Sequence, residues 1–191
     1  MLENVGCRSR CATGPSPWVM RWAHLVKPGA RVLDVAAGEG RHSAFFALKG
    51  ACVTAVDRDV RFLSDLAQAP GMAIEARDLE ADPWPYAPGS FDAIVVTNYL
   101  WRAHFPLYAR TLAPGGVLIF ETFTEYNKTI WGRPANPAHA LREGELLEAF
   151  APLGLEMVAY ESGLTALPAA VARIVCRKPD GPDPRPVPLS P

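Results

Sequence analysis

Glycines, an acid and an arginine follow one another closely near the start of the chain. In the run VLDVAAGEGRHS, Asp34 precedes Ala36, Gly38 and Gly40, and Arg41 comes next. Glycine lets a backbone turn tightly and approach a ligand closely. Arg41, together with the N–H groups of a helix beginning there, favours an anionic group, whereas Asp34 favours a cationic one. We therefore expect this segment to bind a ligand that carries both kinds of charge.

A second acid narrows the choice of ligand. Asp57 follows Gly40 by 17 residues and ends the second predicted strand, where a carboxylate can accept hydrogen bonds from ribose hydroxyls. Asp34 opposes a pyrophosphate above the loop, and the third glycine of a dinucleotide pattern is replaced by Ser43. S-adenosylmethionine has no phosphate but has an ammonium, a sulfonium and a carboxylate. These residues therefore favour that cofactor over a nicotinamide dinucleotide.

Alternating strands and helices place these residues. Seven strands are predicted, at residues 31–35, 52–56, 72–76, 91–96, 116–121, 155–162 and 169–178, the last two as a hairpin. Helices are predicted at 17–26, 41–50, 58–68 and around 105–112, with Ser16 as the cap of the first. This α/β alternation predicts a mainly parallel sheet with its ligand at the carboxyl ends of the strands.

Composition limits the remaining possibilities. The chain has 191 residues and a formal net charge of −1, so neither nucleic acid nor an anionic membrane is an expected partner. We expect a flexible leader at 1–15, one domain at 16–178 and a disordered proline-rich tail at 179–191. Cys52 and Cys176 are expected to be buried, and Cys7 with Cys11 lacks the spacing of a zinc site, so no metal is expected. A cytoplasmic location is the default expectation.

The ordered set of motifs resembles Rossmann-like, S-adenosylmethionine-dependent methyltransferases from about residue 18 to 178. The matching stretches are VLDVAAGEG, AVDRD, ARDLE, FDAIVVTNYL and LAPGGVLIFET. The resemblance implies strand order 3-2-1-4-5-7-6 with the last strand antiparallel. It also implies cofactor contacts from Arg58, from Asp78 and Leu79 at the adenine, and from the Asn98 carbonyl at the ammonium. Ala36 departs from the family's usual glycine, and we expect a negative φ there. The bacterial tellurite-resistance and thiopurine methyltransferases are the subtype it resembles.

Residues for the methyl acceptor are expected after the fourth and fifth strands. The candidates are Tyr99, Arg102, Glu121, Tyr126, Trp131 and Arg133. The long connection at 122–144 is predicted to act as a lid, because connections of that length are usually functional.

The function expected from these features is methyl transfer from S-adenosylmethionine to a small molecule by in-line displacement. Catalysis would come mainly from proximity and from exclusion of water. No catalytic residue is identified. The alternatives are a non-catalytic module that senses S-adenosylmethionine, a nicotinamide-dependent oxidoreductase and, with less support from the balanced charge, a macromolecular acceptor. A monomer and a homodimer are both compatible with the sequence.

Overall fold

One seven-stranded sheet organises the chain. The computed structural model describes residues 14–166, 168–181 and 186–190, so the leader prediction for 1–13, with Cys7 and Cys11, lies outside the described residues. The strands are β1 (Arg31–Val35), β2 (Cys52–Asp57), β3 (Met72–Ala76), β4 (Phe91–Thr97), β5 (Leu112–Phe123), β6 (Glu156–Leu164) and β7 (Ala170–Arg177). Their order in the sheet is β3-β2-β1-β4-β5-β7-β6, which confirms the predicted topology.

The first five strands run parallel, and β7 runs antiparallel between β5 and β6. In register, Asp34 of β1 lies between Ala55 of β2 and Val95 of β4. The carboxyl ends of these parallel strands therefore meet at one edge of the sheet. That edge is where ligands bind in open α/β sheets.

Helices cover both faces of the sheet. They are α1 (Pro17–Trp22), α2 (Arg41–Leu48), α3 (Phe105–Thr111), α4 (Glu125–Trp131) and α5 (Glu145–Phe150). Helix α1 begins as predicted, because the side chain of Ser16 accepts a hydrogen bond from the Trp18 N–H and Pro17 occupies the first turn.

The alternating side chains of the central strands build two cores. On one face, Leu33 and Phe120 pack in the same cluster as Phe105 of α3 and Phe150 of α5. On the other face, the strand residues pack in a cluster with Trp18 and Trp22 of α1 and Phe46 of α2. Asp34 and Val32 are two residues apart, so Asp34 points towards the face that carries α1 and α2.

Two local predictions were wrong, one for a helix and one for a cysteine. The segment predicted as one helix at 58–68 forms two 3-10 helices, Val60–Phe62 and Ser64–Gln68. Leu63 is the one buried residue of this segment, so the segment has no apolar stripe to pack a longer helix against the sheet. The connection at 122–144, for which a lid was predicted, contains α4 and a 3-10 turn at Pro137–His139. Cys52 is exposed, although Cys176 is buried as expected.

The described part of the tail makes at least one contact with the domain. The Pro188 carbonyl lies 3.0 Å from His24 Nε2. The predicted disorder of residues 179–191 stays a prediction. In the described ranges, no helix has the length and apolar character needed to cross a lipid bilayer.

Candidate functional site

A cavity of about 410 Å³ opens at the carboxyl ends of β1 to β4. Its wall is formed by Ala36, Val56, Asp57, Arg58, Arg77, Asp78, Leu79, Glu80, Asn98, Tyr99 and His139. Seven of these residues were predicted from the sequence. The cavity therefore brings together side chains from four consecutive strand ends, as the topology requires.

Three residues of the loop after β1 lie in the left-handed region: Ala36, Gly38 and Gly40. Gly38 has φ +57°, and Ala36 has φ +53°, so the expectation of a negative φ at Ala36 was wrong. The register of the turn imposes this conformation, because Ala37 N–H bonds to the Val56 carbonyl and Gly40 N–H bonds back to the Ala37 carbonyl. A left-handed alanine costs roughly 1–2 kcal/mol. The loop holds a strained residue at the cavity wall.

Asp57 joins the loop to the second strand. Its Oδ2 accepts a hydrogen bond from the Gly38 N–H at 2.8 Å, and its Oδ1 accepts one from the Asp59 N–H at 2.9 Å. An ionised carboxylate has about four lone-pair sites, so two remain for ligand hydroxyls. Asp57 thus fixes the glycine loop and still presents acceptors to the cavity it lines.

Gly40 is needed for packing as well as for backbone conformation. It caps α2 with φ +75°, and a Cβ built there would overlap Leu66 Cδ1 and would lie 2.6 Å from Leu63 Cδ2. Neither Gly40 nor Arg41 lines the cavity, and an Arg41 Nη1 lies 3.4 Å from the Gly14 carbonyl. Their predicted contacts with a cofactor therefore stay predictions.

Asp34 is 1% exposed and lies beneath α2 rather than on the cavity wall. The Ser43 hydroxyl donates a hydrogen bond to its Oδ2. Burial raises the pKa of Asp34 to about 6, although the bond from Ser43 and the charge of Arg41 act in the opposite direction. A cation near Asp34 would favour the carboxylate form, so this group fits the predicted ammonium.

A buried polar network lies beside Asp34 on the α1 and α2 face. The Ser16 N–H donates to His42 Nε2 at 3.1 Å, and the Ser16 hydroxyl donates to Glu121 Oε1 at 2.7 Å. His42 Nε2 is therefore unprotonated, and His42 Nδ1 donates to the Thr97 hydroxyl at 3.3 Å. Burial, with Arg41 nearby, lowers the pKa of His42 to about 3, so the ring is neutral at physiological pH. Glu121 is paired with Arg173 at 3.2 Å.

Polar turns follow β3 and β4. Asp78 Oδ1 accepts hydrogen bonds from the N–H groups of Glu80 and Ala81, at 3.0 and 3.3 Å, so it closes its own turn as well as lining the cavity. Asn98 has φ +55°, and its N–H bonds to the Glu121 carbonyl at 2.9 Å. This conformation holds the Asn98 backbone at the cavity wall.

Five residues predicted to bind the acceptor lie outside the cavity wall: Arg102, Glu121, Tyr126, Trp131 and Arg133. Glu121 is buried and bonds to Ser16 and Arg173. Arg102 instead binds Glu145 and the carbonyls of Ala138 and Ala140. Tyr126 and Trp131 are 72% and 38% exposed on α4, and Arg133 follows them on the surface. Helix α4 is held in place because buried Asn127 accepts from the Ala170 N–H and donates to the Arg133 carbonyl. Their predicted role in a lid stays a prediction.

Four wall residues were not predicted: Val56, Arg77, Glu80 and His139. The first three directly adjoin predicted residues, so the strand ends could have indicated them. His139 belongs to a connection with no periodic pattern, and its position depends on a tertiary contact with Arg102. Two arginines, at positions 58 and 77, face three acids in this wall, and the excess of acid suits an adenosine with a cationic side chain better than a nucleotide with phosphates.

Comparison with known proteins gives a consistent result. A family model described as a methyltransferase domain matches residues 32–116. The ubiquinone biosynthesis O-methyltransferase of Xanthomonas campestris pv. campestris is 34% identical over 145 residues, covering 69% of this chain and 56% of that protein. The demethylmenaquinone methyltransferase of Renibacterium salmoninarum is 35% identical over 116 residues, covering 54% of this chain and 48% of that protein. The chain thus spans about half the length of these curated relatives.

Solved structures show the same fold. The 1,6-didemethyltoxoflavin-N1-methyltransferase of Burkholderia thailandensis, with bound 1,6-didemethyltoxoflavin and S-adenosylhomocysteine, has a TM-score of 0.63 and 24% identity over 85% of this chain and 76% of that one. The [4+2]-cyclase SpnF has a TM-score of 0.68 and 19% identity over 86% of this chain and 79% of that one. The family model thus shows that residues 32–116 match a methyltransferase domain, and the strand order and solved structures show that the chain has the Rossmann-like fold.

Proposed function

We propose that this protein transfers the methyl group of S-adenosylmethionine to a small-molecule acceptor. The observation that carries the proposal is the cavity at the ends of β1 to β4, where Asp57 and Asp78 line a wall that suits an adenosine. The matched methyltransferase domain covers the same four strands.

The residues that would hold the cofactor divide by position along the sheet edge. Asp57 would accept the ribose hydroxyls, and Asp78 with Leu79 would bind the adenine. The backbone from Ala36 to Gly40 would pass beside the methionine part, with Arg41 near its carboxylate and Asp34 near its ammonium. Arg58 and the Asn98 carbonyl would complete the set.

The bound sulfonium supplies an activated methyl group, so the chain need only align an acceptor and exclude water. Ser16 and α1 shield the edge beside β5, because Ser16 hydrogen-bonds to both His42 and Glu121. Tyr99 lines the cavity from the β4 side. Neutral His42 has both ring nitrogens in hydrogen bonds within the chain, so we assign it a structural role rather than that of a base.

The names of the relatives support a first choice of acceptors. One relative is named for ubiquinone biosynthesis and O-methylation, and another for demethylmenaquinone. We therefore propose hydroxylated aromatic rings as the acceptors to test first, with amines and thiols as comparison sets. The tellurite-resistance and thiopurine subtype stays a prediction, as do a cytoplasmic location, the lack of nucleic-acid and membrane partners, and the choice between monomer and homodimer.

Calorimetry and a turnover assay together test the proposal. We expect S-adenosylhomocysteine to bind with micromolar affinity and nicotinamide dinucleotide not to bind under the same conditions. With S-adenosylmethionine and a panel of phenols, amines and thiols, we expect S-adenosylhomocysteine to be formed with at least one acceptor. Dinucleotide binding, or binding of neither ligand, would overturn the cofactor assignment.

Cofactor binding without methyl transfer would favour a non-catalytic role instead. The structural likeness to a [4+2]-cyclase shows that the fold alone does not specify methyl transfer, so the turnover assay is the deciding measurement.

A further inference from the structure

We infer that His139 is a further cofactor-binding residue, which closes the cavity over the adenosine, and that Arg102 is the positioning residue that holds it there. The inference rests on the proposed function. His139 is half-buried and lines the cavity. Every other wall residue belongs to the stretch from Ala36 to Tyr99, so His139 is the contribution of a distant part of the chain.

The backbone around His139 is held on both sides by one guanidinium group. Arg102 Nη1 donates to the Ala138 carbonyl, and Nη2 donates to the Ala140 carbonyl at 3.0 Å. These two carbonyls flank His139 in the sequence. A planar guanidinium that binds the carbonyls on either side of one residue fixes both the place and the direction of that residue.

Arg102 is itself anchored. Its Nε donates to Glu145 Oε1 and its Nη2 donates to Glu145 Oε2 at 3.0 Å, and the side chain of Glu145 is only 7% exposed. Burial alone would raise the pKa of Glu145, but hydrogen bonds from Arg102 and from the Arg142 N–H, with the charges of both arginines, lower it overall. The clamp thus runs from the start of α5 through Arg102 to the turn that carries His139.

The turn is also closed from within. Asn136 Oδ1 accepts from the Ala138 N–H at 3.0 Å, and the Ala140 N–H bonds to the Pro137 carbonyl at 3.0 Å. These bonds hold the backbone on both sides of His139. The position is therefore preorganised, which reduces the entropy lost when a ligand binds.

An imidazole is suited to the adenosine for two reasons. Its flat aromatic face can pack on a purine or ribose, and its ring nitrogens can hydrogen-bond to either. Half of the other ten wall residues are charged, and Tyr99 on the β4 side is the other aromatic member of the wall. Aromatic contacts with bases are worth about 5- to 150-fold in affinity when they are removed by alanine substitution.

The experiment measures the dissociation constants of S-adenosylhomocysteine and adenosine by calorimetry for the full chain and its variants. His139→Ala should raise the dissociation constants of both ligands by the same factor, at least 5-fold. In Arg102→Lys, the lysine can still pair with Glu145 but cannot bind both carbonyls. This variant should therefore also raise the dissociation constants of both ligands. The double variant should bind no more weakly than His139→Ala, because Arg102 acts through His139.

Arg142→Ala is the matched control. Arg142 lies 3.9 Å from Glu145 and pairs with Glu148, but it does not hold the turn, so its removal should leave both affinities unchanged. His139→Gln tests the same position with a planar polar group if His139→Ala has a lowered melting temperature, and it should also weaken both ligands.

Several outcomes overturn the inference. Unchanged affinity in a folded His139→Ala or His139→Gln variant removes the contact, and additive losses in the double variant remove the positioning role of Arg102. The proposed cofactor fails separately, since that failure appears as an absence of S-adenosylhomocysteine binding by the unsubstituted protein.

Discussion

Asp34→Asn tests the state of the buried carboxyl beneath α2. The folded protein raises the pKa of Asp34 from 3.8 to about 6, mainly by burial. A shift of about two units corresponds to roughly 3 kcal/mol of stability, at about 1.4 kcal/mol per unit. Because the pKa is raised, this stability is fully present below pH 3.8, where Asp34 is protonated in both states. It is lost as the pH rises through 6.

Asparagine has nearly the same shape as aspartate and cannot ionise. We therefore expect the stability of Asp34→Asn relative to the unsubstituted protein to increase by about 2–3 kcal/mol between pH 4 and pH 7.5. Urea unfolding of both proteins at several pH values measures this change. The difference isolates Asp34, since the lowered pKa of His42 affects both proteins equally over the same range.

Asp92→Asn is the control, with the opposite trend. Arg31 holds the pKa of Asp92 below its usual value through a paired hydrogen bond. The stability that Asp92 contributes is present above its unfolded pKa and is lost as the pH falls. The free energy of unfolding of Asp92→Asn should therefore fall furthest below that of the unsubstituted protein at neutral pH. If the difference in the free energy of unfolding between Asp34→Asn and the unsubstituted protein does not change with pH, burial does not raise the pKa of Asp34. The proposed pairing of Asp34 with a ligand ammonium would then also lose support.

Three further substitutions address the loop and the cavity. Ala36→Gly should raise the free energy of unfolding by about 0.5–1 kcal/mol, because glycine relieves the left-handed strain although it loses more entropy on folding; an unchanged melting temperature would contradict the strain. Gly40→Ala should lower the free energy of unfolding by about 1–3 kcal/mol, because the added methyl group would meet Leu66. Denaturant titration measures this change, and an unchanged free energy of unfolding would show that the side chain of Leu66 can move aside. Asp57→Ala should weaken the binding of S-adenosylhomocysteine by about 1–3 kcal/mol, as measured by calorimetry. The same affinity as that of the unsubstituted protein would refute the ribose contact.

The sheet and most of the cavity wall were predictable because their signals are local. The parallel strands are largely apolar runs separated by polar or glycine-containing segments, and the carboxyl ends of such strands meet regardless of how the helices pack. Ala36 could not be predicted in the same way, because its φ depends on the hydrogen bond from Ala37 to Val56 on the neighbouring strand. The role of Arg102 was missed for a similar reason, since its partner Glu145 lies 43 residues away.

The docking of α1 has a consequence for the protein during its synthesis. Ser16 and Arg21 bond to Glu121 and Glu161, which lie 105 and 140 residues further along the chain. At about 5–20 residues per second, a ribosome needs roughly 7–30 s to make the second partner after Arg21. Trp18 and Trp22, which are both 1% exposed in the finished fold, lack their β7 partner throughout that interval and their β5 partners for most of it. The newly made segment is therefore open to capture by a chaperone until the last hairpin is complete.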